Sequence, residues 1–218
     1  MKILRTVAEL RAWRDEQAQA GRKVGFVPTM GYLHDGHLSL VREAKRRLGD
    51  SGEVMLSIFV NPTQFAAGED LDVYPRDEEG DLTKAKEAGA TVAFCPLDNE
   101  EMYTPGPDVF VRVEKVDQLL CGGSRPTHFR GVTTVVAKLW NLVEPDFAVF
   151  GEKDWQQLAL IRRMHKEMFF RGEVVGMPIV READGLAMSS RNAYLSEQER
   201  VEARALSQFL ATVRERFS

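Results

Sequence analysis

Cysteine, histidine and long hydrophobic runs are scarce in this sequence. The 218 residues include only two cysteines, Cys95 and Cys121, which lie apart and form no pairing motif. We therefore expect free thiols in a reducing compartment rather than a disulfide framework. No run approaches the ~20 apolar residues that a membrane span needs, and the N-terminus becomes charged too early for a signal peptide. These absences predict a cytoplasmic protein with no membrane partner.

An excess of basic charge is also missing. The 29 Lys and Arg residues are outnumbered by 33 Asp and Glu residues, so the net charge is −4. This balance gives no signal for binding nucleic acid or an anionic membrane. The chain contains no internal repeat or low-complexity segment, and its 44% apolar and 28% charged content is typical of an ordinary globular protein.

One stretch, residues 27–38, combines features that point to a binding site. An apolar run, residues 24–27, precedes it, and a helical pattern that ends at Gly49 follows it. We therefore predict a strand, a tight loop and the start of a helix. The first N–H groups of a helix have no partner within the helix, and they form an anion site. Gly31 and Gly36 would allow the backbone to approach a ligand closely.

His34 and His37 are two of only four histidines in the chain, and they fall at this predicted junction. At a spacing of three residues both can face one side of the first helical turn. Their N–H groups suit a phosphate that gains negative charge during a reaction. Surface histidines, or a histidine that caps a turn, are simpler interpretations. A zinc site is disfavoured because no third ligand follows at a suitable spacing. The combination with the loop glycines favours phosphate binding.

Two further apolar runs, residues 54–60 and 147–150, are typical of strands buried in a parallel sheet. Polar loops follow both runs, and ligands of such sheets bind beyond the carboxyl ends of the strands. Gln64, in the first loop, could hold a substrate that carries hydroxyl and carboxylate groups, or it could merely stabilise a turn. In the second loop, Lys153 could contact phosphate oxygens, Asp154 could cap the next helix, and Gln157 would point inward.

The remaining patterns predict an α/β fold, a Rossmann-like parallel sheet domain with helices on both faces. We expect helices at 6–20, 77–88 and 155–170, strands at 91–94, 109–113 and 174–180, and an apolar helical stripe from Val132 to Val143 that serves as core or dimer contact. In the loop before that stripe, Arg125, His128 and Arg130 could meet an anion or simply be solvated.

We place the sheet domain at 1–176 and the start of a small C-terminal domain at 177–218. This second part contains Met188-Ser189-Ser190-Arg191 and a last helix, which runs to Ser218. Ser196 and Glu199 form a capping box at its start.

Four stretches in this order resemble the pantothenate synthetase family, within the wider superfamily of His-x-Gly-His nucleotidylyl transferases and class I aminoacyl-tRNA synthetases. They are Pro28-Thr29-Met30-Gly31 with His34-Asp35-Gly36-His37, then residues 59–65, 150–158 and 181–192. The resemblance implies an ATP-dependent ligase that condenses pantoate with β-alanine, through a pantoyl adenylate, to give pantothenate, AMP and pyrophosphate.

The resemblance also implies site roles. His34 and His37 would be catalytic, Gln64 and Gln157 would bind pantoate, and Gln64 would also bind β-alanine. The residues implied to bind ATP are Met30, Gly31, Tyr32, Leu33, His34, Asp35, Gly36, His37, Gly151, Glu152, Lys153, Asp154, Val180, Met188, Ser189, Ser190 and Arg191.

No metal cage is visible, so Mg²⁺ would arrive on the ATP phosphates. The resemblance further implies a homodimer and a fuller C-terminal domain, so the chain looks truncated. Two other functions stay open: a nucleotidylyl transferase that stops at an adenylated product, and a non-catalytic ATP-binding module.

Overall fold

The fold, described here from a computed structural model that covers residues 1–217, is built on a six-stranded sheet. The strands are β1 (Lys2–Leu4), β2 (Val24–Thr29), β3 (Glu53–Ile58), β4 (Val92–Phe94), β5 (Phe147–Gly151) and β6 (Glu173–Met177). Their order is β1-β4-β3-β2-β5-β6, and every pair of neighbours is parallel.

Helices cover both faces of this sheet. The helices of the described residues are α1 (Val7–Gln19), α2 (Asp35–Leu48), α3 (Glu78–Glu87), α4 (Cys121–Ser124), α5 (His128–Val143), α6 (Trp155–Glu167) and α7 (Glu197–Phe217). Helices α1, α5 and α6 pack on one face, and α2 and α3 pack on the other. The predicted Rossmann-like α/β architecture is confirmed.

The strand order reverses between β2 and β5, because the chain runs from β2 through β3 to β4 on one side and from β5 to β6 on the other. Open parallel sheets bind their ligands in the crevice that such a reversal creates beyond the carboxyl ends of the strands. The loops after β2, β3 and β5 all emerge at this edge. The fold thus brings together the three polar loops that the sequence singled out.

The sheet is stable because its central strands are apolar on both faces. Val24, Phe26 and Val27 of β2 have no exposed surface, and neither do Val54, Met55 and Leu56 of β3. The apolar stripe of α5 is buried in the same core, so it is core rather than dimer contact.

The structure corrects the strand predicted at residues 109–113. Val111 donates its N–H to Thr134 Oγ1 (3.0 Å), and its carbonyl accepts from Thr133 Oγ1 (2.6 Å). Side chains of α5 therefore satisfy the backbone groups that a neighbouring strand would otherwise satisfy. The sheet instead gains β1, a three-residue edge strand that the sequence did not reveal. Strand β6 ends at Met177, before Pro178, which has no N–H to donate.

The segment after β6 packs back on the sheet domain. Ser190 Oγ donates to the carbonyl of Tyr32 (3.0 Å), and Arg191 pairs with Asp70. Helix α7 begins with the predicted capping box, in which Glu199 N–H donates to Ser196 Oγ and Ser196 N–H donates to the Glu199 carboxylate. The boundary near residue 177 and the truncated second domain stay predictions, and the predicted helix end at Ser218 lies outside the described residues.

We find no helix in residues 1–217 that is both long enough and apolar enough to span a membrane.

Thr134→Val tests how the 109–113 segment is held. Thr134 is buried, and valine keeps its shape while removing the acceptor for the Val111 N–H. An orphaned donor costs about 1–3 kcal/mol, so the free energy of unfolding measured by urea titration should fall by about that amount.

Thr83→Val is the matched control, because the exposed Thr83 hydroxyl also donates to the carbonyl four residues earlier but accepts no N–H from another segment. Its free energy of unfolding should change by less than about 0.5 kcal/mol. Equal losses in the two variants would contradict this account of the segment.

Candidate active site at the strand reversal

A cavity of about 260 Å³ lies at the reversal point. Its walls come from the loops after β2, β3 and β5, from the start of α5 and from the segment before α7. The predicted site residues in the wall are Met30, His34, Gly36, His37, Gln64, Gly151, Lys153, Asp154, Gln157, Val180, Met188, Ser189, Ser190 and Arg191. All four motifs, spread over more than 150 positions of sequence, therefore converge on one space.

Five residues assigned to ATP do not belong to this wall. They are Gly31, Tyr32, Leu33, Asp35 and Glu152. The Leu33 side chain is buried in the core against α2, and the exposed Asp35 pairs with Arg42. The contacts of these five residues with ATP stay predictions.

Asp81, on α3, holds the loop that carries the histidines. Its carboxylate accepts the N–H groups of Tyr32 and Leu33, each at 2.6 Å, and the side chain is almost fully buried. Burial raises the pKa of Asp81, while the two N–H donors pull it down. Gly31 has φ +82°, and a Cβ there would lie 2.9 Å from Asp81 Oδ2. Glycine is therefore required at position 31 for two reasons, the positive φ of the turn and the close approach to this carboxylate.

Sequence reasoning missed Asp81, because it looks like one more acid in the first turn of a helix that ordinarily complements the helix dipole. Only the crossing of α3 beneath the loop reveals its role.

His34 and His37 cap the start of α2 with their own rings. His34 is the N-cap residue, and its Nδ1 accepts the Gly36 N–H at 3.1 Å. The Nδ1 atom of His37 accepts the His34 N–H at 3.4 Å, and the two ring centroids are 4.1 Å apart. Since each Nδ1 is an acceptor, the proton of a neutral ring must reside on Nε2. The capping interpretation and the phosphate interpretation are thus compatible, because capping leaves one N–H donor on each ring.

Both rings are neutral near pH 7. Burial lowers the pKa of His37 to about 3, with help from His34 and Lys153. Burial, followed by the Lys153 charge, also lowers the pKa of His34. At the cavity wall the two rings therefore offer fixed N–H donors rather than bases.

Asn61 orients the amide of Gln64. Its Nδ2 donates both to the Gly131 carbonyl and to Gln64 Oε1, each at 3.1 Å. Its Oδ1 accepts from the Thr63 N–H (3.3 Å). A carbonyl can only accept and an N–H can only donate, so the orientation of the Asn61 amide is determined. Gln64 Oε1 is therefore an acceptor, and its Nε2 donates one N–H to Met30 Sδ at 2.9 Å and keeps the second for a ligand.

Two adjacent acids hold two arginines at the cavity. Asp70 makes a bidentate pair with Arg191 (2.8 and 2.9 Å), and Glu69 makes one with Arg125 (2.7 and 2.5 Å). The Arg191 guanidinium lowers the pKa of Asp70. These partly exposed pairs contribute little stability, but they fix where the guanidinium groups lie. Arg130 lies outside the cavity wall, with its guanidinium 4.3 Å from the centre of the Phe110 ring.

Lys153 and Asp154 follow β5 in a 3-10 turn that leads into α6. The predicted cap by Asp154 is wrong: its side chain makes no capping bond to α6 and lies 3.3 Å from Lys153 Nζ instead. The tight turn starts the helix without the extended backbone of a typical N-cap.

Lys153, Arg125 and Arg191 line the cavity, and each is paired with a carboxylate, that of Asp154, Glu69 and Asp70 respectively. Such a lining suits an anion with several phosphates. Among residues 1–217, no three His, Cys, Asp or Glu side chains are grouped so that they could hold a metal ion.

The chain is similar to known proteins over nearly all its length. The family model described as pantoate-beta-alanine ligase matches residues 2–218. A pantothenate synthetase from Heliobacterium modesticaldum is 57% identical over 99% of this chain and 75% of its own length. One from Geobacter sulfurreducens is 54% identical over 100% of this chain and 76% of its own length.

Solved structures agree with these relatives. The crystal structure of pantothenate synthetase from Thermus thermophilus superposes with a TM-score of 0.91 at 51% identity, over 99% of this chain and 75% of that one. A pantoate-beta-alanine ligase from Francisella tularensis, complexed with beta-gamma ATP and beta-alanine, has a TM-score of 0.89 at 34% identity, over 97% and 79% of the two chains. On the family match and these relatives, the chain belongs to the pantoate–β-alanine ligase family.

Proposed function

We propose how the cavity performs the reaction of this family, the ATP-dependent condensation of pantoate with β-alanine to pantothenate, AMP and pyrophosphate. The observation that carries the proposal is the pair of neutral rings, His34 and His37, which line a cavity together with Lys153 and Arg191 and keep their protons on Nε2. Two fixed donors of this kind stabilise a phosphate whose negative charge grows during the reaction.

In the first half-reaction the pantoate carboxylate attacks the α-phosphate of ATP and releases pyrophosphate. A carboxylate is already a nucleophile, so this step requires positioning and charge stabilisation rather than a base. His34 and His37 donate to the reacting phosphate, and Lys153 supplies a point charge to its oxygens. Ser189, Ser190 and the Arg191 guanidinium take the β- and γ-phosphates, for which Arg191 leaves Asp70 and the Ser190 hydroxyl leaves the Tyr32 carbonyl.

Pantoate lies between Gln64 and Gln157, on the walls that follow β3 and β5. The fixed Gln64 amide donates its N–H to a pantoate oxygen, and in the second half-reaction it also contacts β-alanine. This assignment is supported by the Asn61 contact, which leaves Gln64 Nε2 as a donor.

Mg²⁺ would enter with ATP and would be held mainly by phosphate oxygens and water. The lining supports this proposal, because its cations match the phosphates while a single carboxylate, Asp154, faces them. Such an ion would neutralise phosphate charge. We place the reaction in the cytoplasm, where ATP is supplied and where the two free thiols of Cys95 and Cys121 would stay reduced.

A homodimer is supported by an exposed apolar patch. Leu119, Leu120 and Trp155 are 60%, 84% and 62% exposed. The Gln156 amide links their segments, because it donates to the Leu119 carbonyl (2.7 Å) and accepts from the N–H of residue 121 (3.1 Å). Grouped apolar surface of this kind is typical of an interface.

Leu120→Glu should weaken self-association at least tenfold, because it places a charge in the patch. Sedimentation velocity over a concentration series measures this. Leu97→Glu, at a side chain that is 67% exposed and lies elsewhere, is the matched control. Unchanged association in Leu120→Glu would remove the patch from the interface.

His37→Ala tests the proposed reaction and the role of the rings together. Pantoate-dependent exchange of pyrophosphate into ATP should fall by about 10²–10³, because one lost donor to a developing anion costs ~3–4 kcal/mol. The affinity for ATP should change much less.

The control is His165→Ala, a histidine outside the cavity wall, which should keep near-normal exchange. Exchange that proceeds without pantoate in the parent protein would argue against the proposed reaction. Near-normal exchange in His37→Ala would argue only against the role of this ring.

Gln64→Ala and Gln157→Ala should each weaken pantoate binding by about 5- to 150-fold, the range for a lost hydrogen bond worth about 1–3 kcal/mol. Calorimetric titration with pantoate, and separately with a non-hydrolysable ATP analogue, measures both affinities. Gln198→Ala, on α7, is the control. A loss of nucleotide affinity with pantoate affinity intact would reverse the assignment.

A further inference from the structure

His128 is an imidazole at the cavity that the steps above do not use. It is the first residue of α5 and lines the cavity with Gln64. Its Nδ1 lies 2.9 Å from the backbone carbonyl oxygen of Gln64. A carbonyl can only accept, so Nδ1 carries the proton and, in a neutral ring, Nε2 carries a free lone pair.

The surroundings keep this ring neutral. Burial lowers the pKa of His128 below its usual value, and the Arg125 charge adds to that effect. The Gln64 carbonyl, Glu69 and Asp154 act in the opposite direction. The ring packs against Phe129, with centroids 5.0 Å apart. Among residues 1–217, Nε2 has no hydrogen-bond partner and is not sealed in the interior, and its side chain lines the cavity.

The cavity thus contains imidazoles of two kinds. His34 and His37 accept at Nδ1 and donate at Nε2. His128 donates at Nδ1 and can accept at Nε2. The hydrogen bond to Gln64 also anchors His128 to the residue proposed to hold the acyl group. The one ring able to take a proton is therefore beside the acyl donor.

The second half-reaction requires a proton acceptor, whereas the first does not. When the neutral amine of β-alanine attacks the acyl carbon, its nitrogen becomes positively charged and must lose a proton. We propose that Nε2 of His128 is the base that accepts this proton. This assignment rests on the proposed function.

The step balances. The nitrogen lone pair forms the C–N bond, and the bond between the acyl carbon and the phosphate oxygen breaks. AMP leaves with that electron pair, and one proton moves from nitrogen to Nε2 and then to solvent. A positioned base of this kind contributes typically 10²–10⁴-fold to the rate.

The test separates the two half-reactions in His128→Ala and His128→Asn. The asparagine Nδ2 can replace the Nδ1–H donor to the Gln64 carbonyl but provides no base. Pyrophosphate exchange should stay within about threefold of the parent in both variants. Single-turnover formation of pantothenate from the enzyme-bound adenylate, measured by rapid quench, should fall by about 10²–10⁴ in both.

The pH profile gives a second readout. In the parent protein the amide-forming rate should fall as pH drops below the usual histidine range and His128 becomes protonated. His128→Asn should lack that limb and keep only the fall that protonation of the β-alanine amine imposes on both proteins.

Near-parent amide formation in His128→Asn would show that the ring only anchors Gln64, and it would overturn the proposal. An equal loss of exchange and amide formation in the asparagine variant would also overturn it. Exchange in the parent that does not depend on pantoate would instead contradict the proposed function.

Discussion

The two hydrogen bonds from Tyr32 and Leu33 to Asp81 support the rest of the site. They bind the loop after β2 to α3, an element that approaches from another part of the chain. With the loop held there, Gly31 adopts φ +82° and α2 begins at the cavity edge. Without the carboxylate, two backbone donors would lose their partner in a largely buried place, at a cost of about 1–3 kcal/mol each. The loop, and with it the cap of α2, would then be free to move.

The cap of α2 determines which ring nitrogen of each capping histidine carries the proton. Because Gly36 and His34 donate their backbone N–H groups to ring nitrogens, the protons of His34 and His37 are confined to Nε2. Across the cavity, the carbonyl of Gln64 imposes the opposite tautomer on His128. Backbone groups therefore decide which imidazoles donate and which one accepts. Such an arrangement is established before the substrates bind, as electrostatic catalysis requires.

Much of this site could be predicted because the carboxyl ends of parallel strands lie at the same edge of a sheet. His37, Gln64 and Lys153 each follow an apolar run, and that pattern alone was enough to bring them together. Asp81 could not be predicted in this way, since its partners are two backbone N–H groups about 50 positions earlier. The strand predicted at residues 109–113 failed for a related reason: hydroxyl groups of α5, rather than a neighbouring strand, satisfy its backbone groups. Hydrogen bonds between a side chain and a distant backbone group produce no periodic pattern in a sequence.

The roles of the three cavity histidines follow from their tautomers, and these can be observed directly. A long-range ¹H–¹⁵N correlation spectrum of the ¹⁵N-labelled protein near pH 8 reports which ring nitrogen carries the proton, and four histidines are few enough to assign by substitution. The expected result is an Nε2–H proton on His34 and His37 and an Nδ1–H proton on His128. An Nε2–H tautomer of His128, or protonation of both its nitrogens at that pH, would contradict the assignment of His34 and His37 as donors and His128 as the acceptor.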